Sequence, residues 1–268
     1  MPRQDIKLIA LDLDGTLLCS DKTISDTTLA AIQAARNKGV IVAIATGRMY
    51  STAKRYGAML NLGDMPMMLY AGGLIQTVET KKVLYNHPIA VEDAAALLAL
   101  DKEKGWQMQT YIDDVLRVAA YDSWIQGYEH NTGAKAVVCG DDFYTPQGAP
   151  NKMLSRGSHE ELLLRKAEIE KVLPDRFNIM FSEGTFLEVM PKGVNKGDGL
   201  RRLGNLFGVT IDQVMAMGDS QNDIDMLRAA GFSVAMGNAA DEIKDAAQAV
   251  TLSNDDDGVA AAIERFVL

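Results

Sequence analysis

Apolar residues come along this chain in short continuous runs separated by helical patterns, and that rhythm predicts the elements at both ends. Lys7–Leu11 is a β-rich run that stops at Asp12. Ser25 is placed to cap a helix whose apolar face is Leu29, Ile32 and Ala35, and Gly39 stands where that helix ends. Val40–Ala45 is a second run without polar alternation, as a parallel strand covered on both faces requires, and Met67–Ala71 reads as a third. The same grammar returns after residue 190. Helices over Gly197–Phe207, Asp223–Ala230, Asp241–Ala247 and Asp257–Phe266 alternate with strands over Val214–Met217, Phe232–Met236 and Ala249–Leu252. This βαβ alternation predicts an α/β fold: a doubly wound, Rossmann-like parallel sheet with right-handed crossovers.

Between the two ends the pattern changes. Val91–Lys104 and Glu160–Val172 read as long helices, surrounded by strand candidates at Gln107–Ile112, Val115–Ala119, Phe177–Phe181 and Phe186–Met190. Strands and helices no longer alternate there. The expectation is a core made of residues 1–84 and 190–268, with an inserted α+β cap domain over residues 85–189.

The chemistry-bearing residues gather at the ends of the predicted core strands. Asp12 and Asp14 lie two apart where the first strand ends, and in extended chain such a pair points one way. That edge of an open α/β sheet is where ligands bind. Taken alone, Asp-x-Asp-Gly is as readily a solvated acidic turn. Three companions change the reading. Thr46 and Gly47 end the second strand and offer a hydroxyl and backbone N–H groups at a predicted helix start, a seat for phosphate. Asp219 ends a later strand within Gly218-Asp219-Ser220-Gln221-Asn222-Asp223, and Lys196 opens the helix before that strand. Hard oxygen ligands with one cation suit Mg²⁺ bound beside a phosphate ester.

Composition narrows the function further. The 268 residues carry 27 Lys and Arg against 36 Asp and Glu, a net charge of −9. With no dense basic cluster, nucleic acid and anionic membrane are excluded as partners, and no protein partner is evident. No apolar stretch reaches the ~20 residues of a membrane span. The N-terminal residues lead straight into the first strand without a secretory pattern. Cys19 and Cys139 are the only cysteines and stand far apart, which points to a reducing cytoplasm. His87, His130 and His159 match no metal-ligand spacing. The fourteen Met residues read as core filler, and Asp255-Asp256-Asp257 as a solvated helix cap.

Asp12-Leu13-Asp14-Gly15-Thr16, Thr46-Gly47-Arg48, Asn195-Lys196-Gly197 and Gly218-Asp219-Ser220-Gln221-Asn222-Asp223 together resemble the four motifs of the haloacid dehalogenase-like superfamily. Their order, with a large insertion between the second and third, is similar to that of its Cof-type sugar phosphatases. The resemblance implies a Mg²⁺-dependent phosphatase acting through an aspartyl-phosphate intermediate on a small phosphorylated metabolite, with sugar phosphates as the leading substrate class and nucleotides and phosphorylated cofactors left open. It implies Asp12 as nucleophile and Mg²⁺ ligand, and Asp14 as general acid and base whose backbone carbonyl also binds the metal. Thr46, Gly47 and Lys196 would hold phosphoryl oxygens, and Asp219 would bind Mg²⁺. Asn222 and Asp223 would position Lys196 or metal-bound water. Arg48 is open between a substrate contact and a surface residue. Two alternatives use the same site: a phosphomutase, and a sensor that binds a sugar phosphate without turnover. One departure stands out, because Tyr70-Ala71-Gly72-Gly73 carries Ala71 where the family commonly has the Asn of Asn-Gly.

Overall fold

The continuous apolar runs of the sequence become the strands of a parallel sheet. In the computed structural model, which describes residues 5–183 and 185–268, the order across this sheet is Ala249–Val250, Phe232–Ala235, Val214–Gly218, Leu8–Leu11 and Ile41–Ile44. Residues 1–4 of the N-terminal stretch lie outside the described residues. Every pairing in this sheet is parallel among the described residues, with Leu8 opposite both Val214 and Ile41. Leu8–Leu11 has neighbours on both sides and is buried throughout, which is why it contains no polar residue. The fold is α/β, as the alternation requires.

By its contacts the chain divides into two units. The first holds the described residues up to Gly47, Ala53–Tyr85 and Asn195–Leu268; the second holds Arg48–Thr52 and Asn86–Val194. In the first unit, Ser25 caps the helix Asp26–Asn37 by accepting the Thr28 N–H at 3.0 Å. The third strand is shorter than its apolar run. It covers Pro66–Leu69 and joins a separate three-stranded sheet with Leu74–Thr77 and Val83–Asn86, touching the parallel sheet through one bridge, Ala45 to Met68. Tyr70 and Ala71 leave the strand because both adopt left-handed backbone, with φ of 47° and 50°. The helix expected directly after Gly47 begins at Tyr50 instead.

The second unit is a six-stranded sheet in the order Phe177–Glu183, Phe186–Pro191, Lys152–Arg156, Gln109–Ile112, Val115–Val118 and Ala136–Val138. Lys152–Arg156 and Ala136–Val138 have no counterpart in the sequence reading. Helices Val91–Lys104 and His159–Val172 pack on one face, where Leu97, Leu98, Leu162 and Ile169 meet Met153, Leu187 and Val189. Alternation turns Lys152 and Glu188 to the opposite face, where they form a buried ion pair at 3.0 Å. No helix of the described residues is long and apolar enough to cross a membrane.

One buried acid makes the second unit sensitive to pH. Asp101, in the helix Val91–Lys104, accepts the Met108 N–H at 3.1 Å through Oδ1, while its buried Oδ2 has no hydrogen-bond partner among the described residues. Burial raises its pKa from 3.8 to about 6, against the pull of the Met108 N–H and the Arg165 charge. Between those two values the folded state binds the proton that the unfolded state has released. Stability contributed by this group is therefore full below the lower value and lost as pH rises through the upper one. Asp101→Asn keeps the acceptor for Met108 and removes the charge. Denaturant unfolding of the variant should show a gain of about 1–3 kcal/mol over the parent at about pH 8, shrinking towards zero near pH 4. An equal difference at both pH values would contradict this.

Candidate active site

Two strand ends and one helix start converge in the first unit. Asp12 follows directly on Leu8–Leu11, and its N–H donates to the Met217 carbonyl at 3.1 Å, carrying the parallel register one residue past the strand. Asp219 follows directly on Val214–Gly218 in the adjacent strand. Lys196 is the first residue of the helix Lys196–Leu206, whose N-cap Asn195 accepts the Asp198 N–H at 2.9 Å. From there the lysine side chain reaches inward, fully buried. Its Nζ donates to Asp12 Oδ1 at 2.7 Å and to Asp223 Oδ1 at 2.6 Å.

Asp223 is held as tightly as it holds. Its Oδ2 accepts the N–H groups of Asp219 and Ser220, at 3.1 and 3.0 Å, and the Ser220 hydroxyl at 3.2 Å. Gly218 makes this possible, since a Cβ there would lie 2.5 Å from Asp223 Cβ. Gly15 plays the matching part in the first loop. Its φ is +75°, and a Cβ would lie 2.3 Å from Asp219 Oδ2, so a side chain would push Asp219 out of the cluster. Thr16 Oγ1 donates to Asp219 Oδ1 at 2.8 Å and fixes that carboxylate from the other side.

Carboxylate oxygens of Asp12, Asp219 and Asp223 lie within 4.8 Å of one another. With all three ionised against the single Lys196 ammonium, two negative charges remain uncompensated in a largely buried space. The protonation equilibria register this. Burial pushes Asp12 well above its ordinary value; Lys196 opposes that, while Asp223 and Asp219 add to it. Burial first, then Asp223, brings Asp219 up to about 6, with Thr16 and Lys196 pulling it down. Burial works against the Lys196 ammonium, but the charges of Asp12 and Asp223 outweigh it and hold its pKa above the ordinary value. A divalent cation is the natural complement of such a set. Among the described residues, Asp12 Oδ2 and Asp219 Oδ2 accept no hydrogen bond, whereas both oxygens of Asp223 are engaged. Hard, anionic oxygens of this kind fit Mg²⁺.

The remaining residues singled out in the sequence fall less simply. Asp14 has left the strand by the time its side chain emerges; it is half-exposed and lies outside the carboxylate cluster. Its Oδ1 accepts from Lys22 Nζ at 2.9 Å. The strand-like alternation assumed for Asp12 and Asp14 ends at Leu11, and the turn through Leu13 to Leu18 replaces it. Thr46 is buried at the end of the second strand, but its N–H donates to the Met68 carbonyl at 2.9 Å, so that N–H is not open to a phosphate. Gly47 is half-buried beside it. Arg48 is half-buried and belongs by its contacts to the second unit. Asn222 Oδ1 accepts from the Ser220 hydroxyl at 2.8 Å, and Lys196 is positioned by Asp223 rather than by Asn222. Ala71 occupies a left-handed backbone position, where the family Asn is tolerated better than Ala, and its N–H donates to the Thr46 carbonyl at 3.0 Å.

Sequence reasoning missed the frame around the first loop. Asp255 is not merely a solvated cap: its carboxylate accepts the Ser20 N–H and hydroxyl at 2.7 and 2.6 Å. Asp257 accepts from the Ser25 hydroxyl and caps no N–H with its side chain. Asn254 donates to the Leu18 carbonyl at 2.8 Å, and Asn238 to the Gly15 carbonyl at 2.9 Å. A polar run near the C-terminus gives no sign of which loop it will hold.

Comparison with known proteins agrees with this geometry over nearly the whole chain. The 5-amino-6-(5-phospho-D-ribitylamino)uracil phosphatase of Bacillus subtilis is 34% identical over 98% of this chain and 97% of its own length. A haloacid dehalogenase-like hydrolase of Bacteroides thetaiotaomicron superposes with a TM-score of 0.88 at 32% identity, covering 97% of this chain and 99% of that one. A structure described as a sugar phosphatase of HAD subclass IIB superposes at 0.85 with 27% identity, covering 97% and 98%. Residues 9–263 match the family model for haloacid dehalogenase-like hydrolases, a span that contains every strand end described above, and the chain belongs to that family.

Proposed function

We propose that this protein is a Mg²⁺-dependent phosphatase that hydrolyses a small phosphorylated metabolite, of the sugar phosphate class, through a phosphoryl group carried on Asp12. The observation that carries the reading is the Lys196 bridge: a buried ammonium held between Asp12 and Asp223 within the carboxylate cluster. The names borne by its relatives support the substrate class, one a phosphatase of a phosphoribityl compound and one a sugar phosphatase.

In the first step Asp12 attacks phosphorus and the bond to the leaving alcohol breaks, while Asp14 gives that oxygen a proton. In the second, water attacks phosphorus, the bond between phosphorus and the Asp12 oxygen breaks to release phosphate, and Asp14 takes a proton from the attacking water. Lys196 holds Asp12 in one orientation and meets charge on the equatorial oxygens as it develops. Asp219, Asp12 and the backbone carbonyl of Asp14 would hold Mg²⁺, which supplies charge against the dianionic ester. Thr46 and Gly47 are assigned to phosphate binding at the end of the second strand. The second unit, including Arg48, is assigned to substrate choice, because the residues of phosphoryl transfer all belong to the first.

Asp12→Asn is nearly isosteric and leaves Lys196 paired with Asp223, so the fold should persist. Turnover should fall at least ~10³-fold, about 4 kcal/mol of barrier. Release of inorganic phosphate at close to the parent rate would refute the nucleophile. For the parent protein, formation of a phosphate isomer in place of inorganic phosphate would indicate a mutase, and saturable binding of the ester without turnover in the presence of Mg²⁺ would indicate a sensor.

Chelation should abolish turnover, and Mg²⁺ should restore it. The ion should also raise the unfolding temperature of the parent, by roughly the equivalent of 2–3 kcal/mol when it is present at about a hundred times its Kd. Asp219→Asn should lose most of that gain. Full activity after exhaustive chelation, or equal stabilisation of the variant, would contradict the assignment.

A further inference from the structure

We propose that Lys22 is a positioning residue for Asp14, fixing the orientation of the carboxyl group that exchanges a proton with the leaving alcohol and the attacking water. The inference rests on the reading of Asp14 given above. It starts from the contact of Lys22 Nζ with Asp14 Oδ1 at 2.9 Å, between two side chains that are each a little under half exposed. An exposed pair of this kind on a loose loop is worth about 0–1 kcal/mol, mainly because two long side chains must be ordered to make it.

Here the loop is already ordered. Lys22 has left-handed backbone, with φ of 66°, and its N–H donates to the Cys19 carbonyl at 2.8 Å. The Cys19 N–H donates to the Thr23 carbonyl at 2.9 Å, closing the turn. Asp21 fixes its far side by accepting the Thr23 N–H and hydroxyl, at 2.9 and 2.6 Å. The turn is then tied to a segment more than two hundred residues away. Ser20 makes its two bonds to Asp255, Asn254 donates to the Leu18 carbonyl, and the Cys19 thiol lies 3.6 Å from the Asn254 carbonyl.

This bracing does little for a surface ion pair as a source of stability, yet it delivers an ammonium to one chosen oxygen of Asp14. The other acids of the site have fixed partners: Asp12 and Asp223 share Lys196, and Asp219 has Thr16. Asp14 stands outside that cluster, in a turn rather than a strand, and Lys22 gives it a comparable anchor. Proton transfer depends on the placement of the donor, and a small misplacement is costly.

The test compares two esters on the full-length protein with Mg²⁺: p-nitrophenyl phosphate, whose leaving group departs without help, and a hexose 6-phosphate, whose alkoxide needs a proton. Lys22→Met should slow release of the alcohol in the first turnover, which precedes the water step common to both esters, by roughly 10–100-fold for the sugar phosphate and by no more than about 3-fold for the aryl ester. Lys22→Arg should recover most of the loss. Asp14→Asn should give the same ester dependence in stronger form. Equal losses on both esters, or none, from Lys22→Met would overturn the inference while leaving the role of Asp14 intact. If Asp14→Asn itself spares the sugar phosphate, the acid assignment fails, and the inference fails with it.

Discussion

A lysine ammonium taken wholly out of water costs several kcal/mol, and the site is organised around meeting that cost. Lys196 achieves it with two carboxylates at hydrogen-bonding distance, one on each side. Lys196 itself cannot be lost cheaply, because its removal leaves two buried carboxylates without their cation, at roughly 3–5 kcal/mol. The direction of Asp12 therefore follows from the position of Lys196, and that position follows from Asp223. Asp223 is fixed in turn by two backbone N–H groups of the loop that begins with Asp219. Asp219, Asp12 and Lys196 are thus parts of one connected arrangement.

The parallel sheet is what makes such an arrangement available. Adjacent parallel strands end side by side, so residues far apart in sequence, Asp12 and Asp219, emerge next to each other. The loops that follow must then turn away within a few residues without crowding the acids. Gly15 and Gly218 satisfy this where a Cβ would collide with Asp219 and Asp223. The surplus of negative charge that results is suited to a divalent cation, and the acidic character of the whole protein makes that local compensation necessary.

Much of this was legible in the sequence because it rests on local patterns. Buried parallel strands read as uninterrupted apolar runs, and Ser25 and Gly39 mark helix ends through short-range capping that any chain must obey. The acids were legible because strand ends can be counted. What the sequence did not disclose are matters of pairing. Lys152–Arg156 is hard to see as a strand because its two faces want different things: Met153 is core, whereas Lys152 meets Glu188. At Thr46 the sequence offers a hydroxyl and an N–H, and only the fold shows that the N–H is already paired with the Met68 carbonyl. Asp255 looked like a solvated acid because its partner, Ser20, lies at the other end of the chain. Ala71 looked like a lost side-chain contact, and its left-handed backbone offers a conformational reason for the family Asn that composition cannot reveal.

The central claim is that Asp12, held by Lys196, carries the phosphoryl group between ester and water. Rapid acid quench during turnover, followed by mass spectrometry of the proteolysed enzyme, tests it most directly. The account predicts a phosphoryl group on the peptide containing Asp12, formed before phosphate release reaches steady state and removed by mild alkali. Phosphate released with no modified peptide at any time, or a phosphoryl group found on another residue, would contradict it.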